Sequence, residues 1–116
     1  MKITFVLMGR GLSGGVRVVV QHANLLRARG HDVTIVSQRL AYPRKLKSLA
    51  KRLWAECRAR LGLSRDHLDS FTGRLIEAPA AKLAASVPPG DVVIATYWTT
   101  AGLVRDLPAA CGRKFY

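Results

Sequence analysis

A glycine-rich stretch near the start of the chain, MGRGLSGGVRVVV at residues 8–20, constrains the fold more than any other feature. Four glycines fall within seven positions, at 9, 11, 14 and 15. Because glycine has no Cβ, such a turn either bends where other residues cannot or lets something approach the backbone. An apolar run precedes the stretch and a helix-like pattern follows it. The sequence therefore predicts a strand, a tight turn and a helix.

The segments on either side of this turn predict a βαβ unit. Residues 2–8 are almost wholly apolar, which is typical of a strand buried in a parallel sheet. After the turn, apolar residues recur at helical spacing at Val16, Val19, Val20, Ala23 and Leu26. Gly30 follows two arginines and indicates a helix end, and residues 32–37 form the second predicted strand.

The rest of the chain continues the alternation of strands and helices. Pro43 suits the first turn of a second helix, which is predicted to run to Leu61, and the polar residues 64–73 are predicted to form a loop. The remaining predicted elements are a short third strand at 75–78, a helical turn at 82–87, a fourth strand at 91–97, a short helix capped by Thr99 or Thr100 that ends before Pro108, and the start of a fifth strand at 114–116. This pattern predicts one α/β domain over residues 1–116, an open sheet whose ligands lie beyond the carboxyl ends of the strands.

The composition sets further bounds. The chain is 49% hydrophobic and 22% charged, as globular domains are, and has no apolar run of the roughly 20 residues that a membrane span needs. Its opening apolar run is too short for a secretory signal. Cys57 and Cys111 suggest neither a disulfide framework nor a zinc site, and the three histidines have no metal-ligand spacing. We therefore expect a cytoplasmic protein with no metal site.

The positive charge is concentrated in one segment. The net charge is +12, and nine Lys and Arg residues lie between Arg39 and Arg65 against Glu56 alone. Three interpretations stay open, of which a solvated helix face ranks first. The second is a helix on an anionic membrane surface, held by Lys47, Lys51, Trp54 and Arg58. Nucleic acid ranks last, because the chain has no recognised nucleic-acid module and its aromatic residues are few.

The glycine turn also matches a known phosphate-binding pattern. Gly9, Gly11 and Gly14 fit G-x-G-x-x-G between a strand and a helix, as in dinucleotide-binding folds. That pattern needs an acidic residue at the end of the second strand to hold a ribose, and this chain has Arg39 there. An arginine disfavours NAD but suits the 2′-phosphate of NADP. A tight turn without any ligand is the remaining alternative.

Longer stretches resemble a particular family. The opening, MKITFVLMGRGLSGGVRVVVQHANLLRARGHDVTIVS, is similar to the start of family 4 glycosyltransferases, and DVVIATYWTTAGLV followed by GRKFY is similar to that family's later strands. These enzymes have the GT-B fold, in which two Rossmann-like halves face each other across a cleft. The resemblance implies that this chain is an incomplete amino-terminal half, a Rossmann-like open parallel sheet with flanking helices.

The resemblance also implies a substrate and its contacts. The substrate class is a nucleotide sugar, with no cofactor, held mainly by a second Rossmann-like domain that would follow Tyr116. Gly14 and Gly15 would approach the donor's diphosphate and sugar, and Gly11 would shape the turn. The acceptor would be a hydroxyl of a cell-envelope glycan or of a lipid-linked sugar. The second interpretation of the basic helix, peripheral binding to the inner face of the plasma membrane from the cytoplasm, fits such an acceptor.

Four residues at the end of the fourth predicted strand are candidates for acceptor binding. The aromatic rings of Tyr97 and Trp98 can stack on a sugar, and the hydroxyls of Thr99 and Thr100 can bond its hydroxyl groups. The alternative is that one aromatic closes the core and a threonine only caps a helix.

Two hypotheses from other classes remain beside the glycosyltransferase domain. One is an NADP-binding Rossmann domain of a reductase, and the other is a basic α/β module that binds only anionic membranes or nucleic acid. The sequence has no paired carboxylates, no Ser-His-Asp set and no P-loop, so it predicts no catalytic residue.

Overall fold

The computed structural model of the protein describes residues 1–10, 13–39 and 66–116 together with Cys57. These residues form five parallel strands in the order β3-β2-β1-β4-β5. The strands are β1 (Lys2–Leu7), β2 (Asp32–Gln38), β3 (Arg74–Ala78), β4 (Val92–Ala95) and β5 (Arg113–Phe115). The two described α-helices are α1 (Gly14–Ala28) and α2 (Trp98–Arg105), and short 3₁₀ turns span His67–Ser70, Ala80–Lys82, Ala84–Ser86 and Ala109–Cys111. The protein is an α/β, Rossmann-like open sheet, as the sequence predicts.

Strand β1 lies at the centre of the sheet. It pairs with β2 on one side, where Ile3 faces Val33, and with β4 on the other, where Ile3 faces Val92. The chain runs outward from β1 through β2 to β3, and then returns to build β4 and β5 on the opposite side. The order therefore reverses between β1 and β4, which is where open α/β sheets form their ligand sites.

Alternating side chains bury both faces of the sheet. Phe5 and Ile35 pack towards α1 with Val20 and Ala23, whereas neighbouring residues such as Val6 pack towards α2. Full burial of a Val or Ile side chain contributes about 1.5–3 kcal/mol. A sheet covered on both faces explains why its central strands read as continuous apolar runs.

The ends of α1 follow from local chemistry. Ser13 is the N-cap, and its side-chain oxygen accepts a hydrogen bond from the backbone N–H of Val16 at 3.4 Å. Gly30 adopts a left-handed backbone, with φ of +87°, and its N–H donates to the carbonyl of Arg27. The predicted helix stop at Gly30 is confirmed, because only glycine adopts this conformation without strain.

Three details differ from the sequence prediction. The fourth strand covers only Val92–Ala95 instead of 91–97, because the chain turns into α2 directly after it. Within the predicted loop 64–73, His67–Ser70 form a 3₁₀ turn, capped by the carboxylate of Asp66. In place of the predicted helical turn at 82–87 there are two short 3₁₀ turns in tandem, Ala80–Lys82 and Ala84–Ser86, with Leu83 buried between them.

Several predictions concern residues outside the described ranges. They are the second helix at 43–61 and the four membrane candidates Lys47, Lys51, Trp54 and Arg58. Within residues 1–10, 13–39 and 66–116, no helix is both long and apolar enough to cross a membrane. Both cysteines are free thiols, Cys57 exposed and Cys111 buried.

Candidate functional site

The candidate site is the crevice between the carboxyl ends of β1 and β4. Strand β1 leads through Met8, Gly9 and Arg10 into the glycine turn, and β4 leads through Thr96 into α2. The Thr96 hydroxyl donates a 2.8 Å hydrogen bond to the carbonyl of Val6, which ties the two strand ends together. Helices α1 and α2 start from these strand ends on opposite faces of the sheet. Their amino termini, each with unbonded N–H groups and a positive dipole end, flank the crevice.

Gly14 and Gly15 form the first turn of α1, and both are exposed. A Cβ built on either residue meets nothing within 4 Å. Neither has a left-handed backbone, since the described glycines with positive φ are Gly30 and Gly112. The fold of the described residues therefore needs glycine at neither position. What glycine provides here is open access to the backbone N–H groups at the start of a 15-residue helix. Gly11 lies outside the described residues.

An exposed aromatic pair stands on the β4 side of the same crevice. Tyr97 is 57% exposed and Trp98 is 75% exposed, with ring centroids 5.9 Å apart and planes inclined at 43°. The sequence left two roles open for an aromatic residue here, closing the core and stacking on a sugar. Neither ring closes the core, because both are mostly exposed. Large exposed aromatic faces at a sheet's ligand edge are suited to stacking on another ring or an apolar sugar face.

The two threonines differ from each other. Thr100 is fully buried, its hydroxyl donates to the carbonyl of Tyr97 at 2.8 Å, and it accepts the N–H of Tyr97 at 3.1 Å. Thr100 thus stabilises the helix start, and its hydroxyl is occupied there. The Thr99 side-chain oxygen is buried and has no hydrogen-bond partner within the described ranges.

The predicted cap of α2 is wrong by two residues or more. The structure places the N-cap at Tyr97 and the first helical residue at Trp98, whereas the sequence suggested Thr99 or Thr100 as the cap. The reason is that Thr100 occupies the third helical position. From there its hydroxyl oxygen accepts a hydrogen bond from the backbone N–H of Tyr97, which is the N-cap residue.

A charged cluster that sequence reasoning missed lies on the other side of β1. Arg10 Nε donates to Asp66 Oδ2 at 2.6 Å, Nη2 donates to Asp69 Oδ1 at 2.9 Å, and Nη1 donates to Glu77 Oε1 at 3.1 Å. The hydrogen bond with Asp66 is the main reason that the pKa of Arg10 lies above its ordinary value. The nearby charges of Asp66, Glu77 and Asp69 raise it further, and partial burial opposes them. We name these four residues the Arg10 cluster.

The sequence carried only a weak signal for this cluster. Asp66 and Asp69 have the spacing of a capping box, and Glu77 is the one acidic residue of strand β3. Arg10 is separated from them by 56 to 67 positions. A single sequence does not indicate which of the 19 Lys and Arg residues binds three carboxylates that lie so far away along the chain.

The residue at the predicted NADP position lies at the carboxyl end of β2. Arg39 directly follows that strand, its side chain is exposed, and its backbone N–H donates to the carbonyl of Ala78 at 2.7 Å. The Arg10 cluster joins the end of β1 to Glu77 on β3 and so passes the end of β2, which lies between them. The cluster has three carboxylates against one guanidinium, and this excess of negative charge disfavours a ribose phosphate beside it.

Comparison with known proteins adds no assignment, since no family model, no curated protein and no solved structure matches the chain. The site is therefore interpreted from its chemistry. One side offers free backbone N–H groups that bind anions, and the other offers aromatic faces that bind rings. The histidines, cysteines and carboxylates within the described part of the chain form no group able to hold a metal ion.

Proposed function

We propose that this chain is the amino-terminal, acceptor-side domain of a glycosyltransferase resembling family 4. The enzyme moves a sugar from a nucleotide sugar to a hydroxyl of a cell-envelope glycan or a lipid-linked acceptor. The observation that carries the proposal is the pairing of open glycine backbone at Gly14 and Gly15 with the exposed rings of Tyr97 and Trp98 across one crevice. A ligand with a diphosphate next to a sugar ring matches both surfaces.

The chemistry proposed for this domain is electrostatic. As the bond between sugar and diphosphate breaks, negative charge develops on the leaving phosphate. The N–H groups at the start of α1 point at this charge without needing to reorganise, and Gly14 and Gly15 let the phosphate come close. Gly11 is assigned to shaping the same turn. Cations of a second Rossmann-like domain, expected after Tyr116, would hold most of the donor.

The acceptor is assigned to the β4 side. Tyr97 and Trp98 provide stacking faces, and the adjoining Thr99 has a side-chain oxygen with no hydrogen-bond partner in the described ranges. Thr100 supports this surface indirectly, by fixing the backbone at Tyr97 where α2 begins.

Contact with the inner face of the plasma membrane is part of the same proposal. A lipid-linked acceptor requires the enzyme at a membrane surface, and the basic segment with Lys47, Lys51, Trp54 and Arg58 has the composition for this. Replacing the three cations with glutamine is expected to weaken sedimentation with anionic vesicles and to leave neutral vesicles unaffected. Equal vesicle binding before and after the replacement would favour the other interpretation of this segment, a solvated helix face with no membrane contact.

The second candidate is an NADP-binding reductase domain. It is favoured by the spacing of Gly9, Gly11 and Gly14 and by Arg39 at the end of β2. The carboxylates of the Arg10 cluster disfavour it, for the reason given above.

Cofactor fluorescence separates the two candidates. On the glycosyltransferase hypothesis, titration of the chain with NADPH or NADH gives no saturable signal, and these 116 residues alone turn over no nucleotide sugar because most donor contacts are assigned to a second domain. Micromolar NADPH binding that is lost in Arg39→Ala, and retained in the matched surface variant Arg29→Ala, would establish the reductase instead. Sugar transfer by the chain alone would contradict the placement of the main donor contacts on a second domain.

A further inference from the structure

The Arg10 cluster does more than pair surface charges. All three guanidinium nitrogens of Arg10 donate to carboxylates, and Asp66 receives two of these bonds, from Nε at 2.6 Å and from Nη2 at 3.3 Å. This two-point contact with Asp66 fixes the orientation of the guanidinium plane as well as its distance. The residue that carries it belongs to the turn between β1 and α1, two positions after Met8.

The carboxylates that receive Arg10 are themselves held in place. Asp66 Oδ1 accepts the N–H of Leu68 at 2.9 Å and that of Asp69 at 3.3 Å, while Asp69 Oδ2 accepts the N–H of Asp66 at 3.0 Å. Leu68 is fully buried in the core beneath α1. Arg10 therefore binds acceptors that are already ordered, so less conformational entropy is lost when the contact forms.

The direction of the contact matters for the crevice. Glu77 lies on β3, opposite Ser37 of β2, and Ser37 in turn lies opposite Leu7 of β1. Arg10 thus reaches from β1 across the end of β2 to β3, which is away from β4. Arg10, which precedes the turn, is thus held on the β2–β3 side, and Gly14 and Gly15, which follow it, are exposed.

We propose that Arg10 is a positioning residue, which holds the β1–α1 turn against the ordered carboxylates of Asp66, Asp69 and Glu77 so that the backbone of Gly14 and Gly15 stays exposed at the crevice. That the ligand approaching this backbone is a nucleotide sugar rests on the proposed function. The positioning itself does not depend on the identity of the ligand.

Amide hydrogen exchange of the full 116-residue chain tests the positioning. In Arg10→Gln, exchange at the hydrogen-bonded amides of residues 16–17, which follow the turn, and of residues 66–69 is expected to accelerate about tenfold, because local opening no longer breaks charge-assisted bonds. Exchange in the core strands β1 and β4 is expected to stay as it was. Arg17→Gln is the matched control, since it removes the same charge from an exposed position that has no ion pair among the described residues.

Two further variants keep the test decisive. Arg10→Lys retains the charge without the planar fork and is expected to recover only part of the protection. If Arg10→Gln unfolds, Glu77→Gln removes one contact alone, and its acceleration is expected in the same two segments. Uniform acceleration over all amides would show a general stabiliser instead, and unchanged exchange at residues 16–17 would overturn the proposal.

A ligand probe separates this inference from the proposed function. Inorganic pyrophosphate at millimolar concentration is expected to shift the Gly14 and Gly15 amide resonances in the unsubstituted chain, and to shift them less in Arg10→Gln. If exchange responds as described while no nucleotide sugar binds, the positioning stands and the proposed function fails. If nucleotide sugar shifts these amides equally in both proteins, the positioning fails and the proposed function stands.

Discussion

The two halves of the sheet's carboxyl edge satisfy their polar groups in different ways. On the β2–β3 half, Arg10 and three carboxylates bond to one another. On the β1–β4 half, Gly14 and Gly15 are exposed at the start of α1, and Tyr97 and Trp98 expose most of their rings. Both halves lie at the same edge of the same sheet, so the contrast comes from the side chains and not from the fold.

This contrast indicates where the molecule has capacity for a partner. Groups that bond to each other contribute to folding and have little left to offer a ligand. Open backbone N–H groups and exposed aromatic rings contribute little to the stability of the free protein. They form most of their favourable contacts only when a ligand binds. We therefore assign a structural role to the β2–β3 half and a binding role to the β1–β4 half. Substitutions on the two halves should then affect different properties.

The largest effect on stability is expected where a glycine is required by the fold. Gly112 has φ of +90°, and a Cβ built there clashes with the carbonyl carbon of Asp91. Gly112→Ala is expected to lower the free energy of unfolding by about 3 kcal/mol or more, through strain and a backbone clash. Gly14→Ala, at an open helical position, is expected to be neutral or to stabilise by up to about 1 kcal/mol. Chemical denaturation measures both, and a large loss in Gly14→Ala would remove the argument that this glycine is kept for access.

An intermediate effect is expected on the structural half. Arg10→Met leaves three carboxylates close together without their cation, and we expect a loss of about 1–2 kcal/mol, since the cluster is only partly buried. Thermal unfolding at low and high salt measures this loss and its screening. A variant as stable as the unsubstituted chain at both salt concentrations would show that the cluster does not support the fold, and the contrast between the halves would weaken.

The smallest effect on stability is expected on the binding half. Trp98→Ala removes a ring that is 75% exposed, so the free energy of unfolding should change by no more than about 0.5 kcal/mol. Thr100→Val is the buried comparison from the same helix, and it should cost more because it leaves the N–H of Tyr97 without its acceptor. A loss in Trp98→Ala as large as that in Thr100→Val would mean that the indole packs in solution and is not free to bind.

Much of the fold could be predicted because its signals are local. The apolar runs of β1 and β2, the left-handed stop at Gly30 and the break at Pro88-Pro89-Gly90 each act within a few residues. The start of α2 was harder to place, because a threonine can cap a helix from either of two positions.

The candidate site could be predicted only in outline. The sequence proposed Tyr97 and Trp98 through the general rule that ligands bind at the carboxyl edge of an open sheet, and it proposed Gly14 and Gly15 through the resemblance to family 4 glycosyltransferases. It did not reveal the Arg10 cluster, because that depends on the order of strands β1, β2 and β3 and on side chains more than 50 positions apart. Whether Gly14 is crowded or open is likewise decided by three-dimensional packing.

The amide NMR shifts of the isotopically labelled chain during titration with UDP-glucose or GDP-mannose test the division between the two halves most directly. With either nucleotide sugar at millimolar concentration, we expect the amides of Gly14 and Gly15 and the indole N–H of Trp98 to shift, while those of Asp66, Asp69 and Glu77 stay in place. NADPH, which also carries a diphosphate, should leave Asp66, Asp69, Glu77 and the amide of Arg39 in place. The account would be contradicted by nucleotide sugars that leave Gly14 and Gly15 unmoved, or by NADPH shifts centred on Arg39 and the Arg10 cluster.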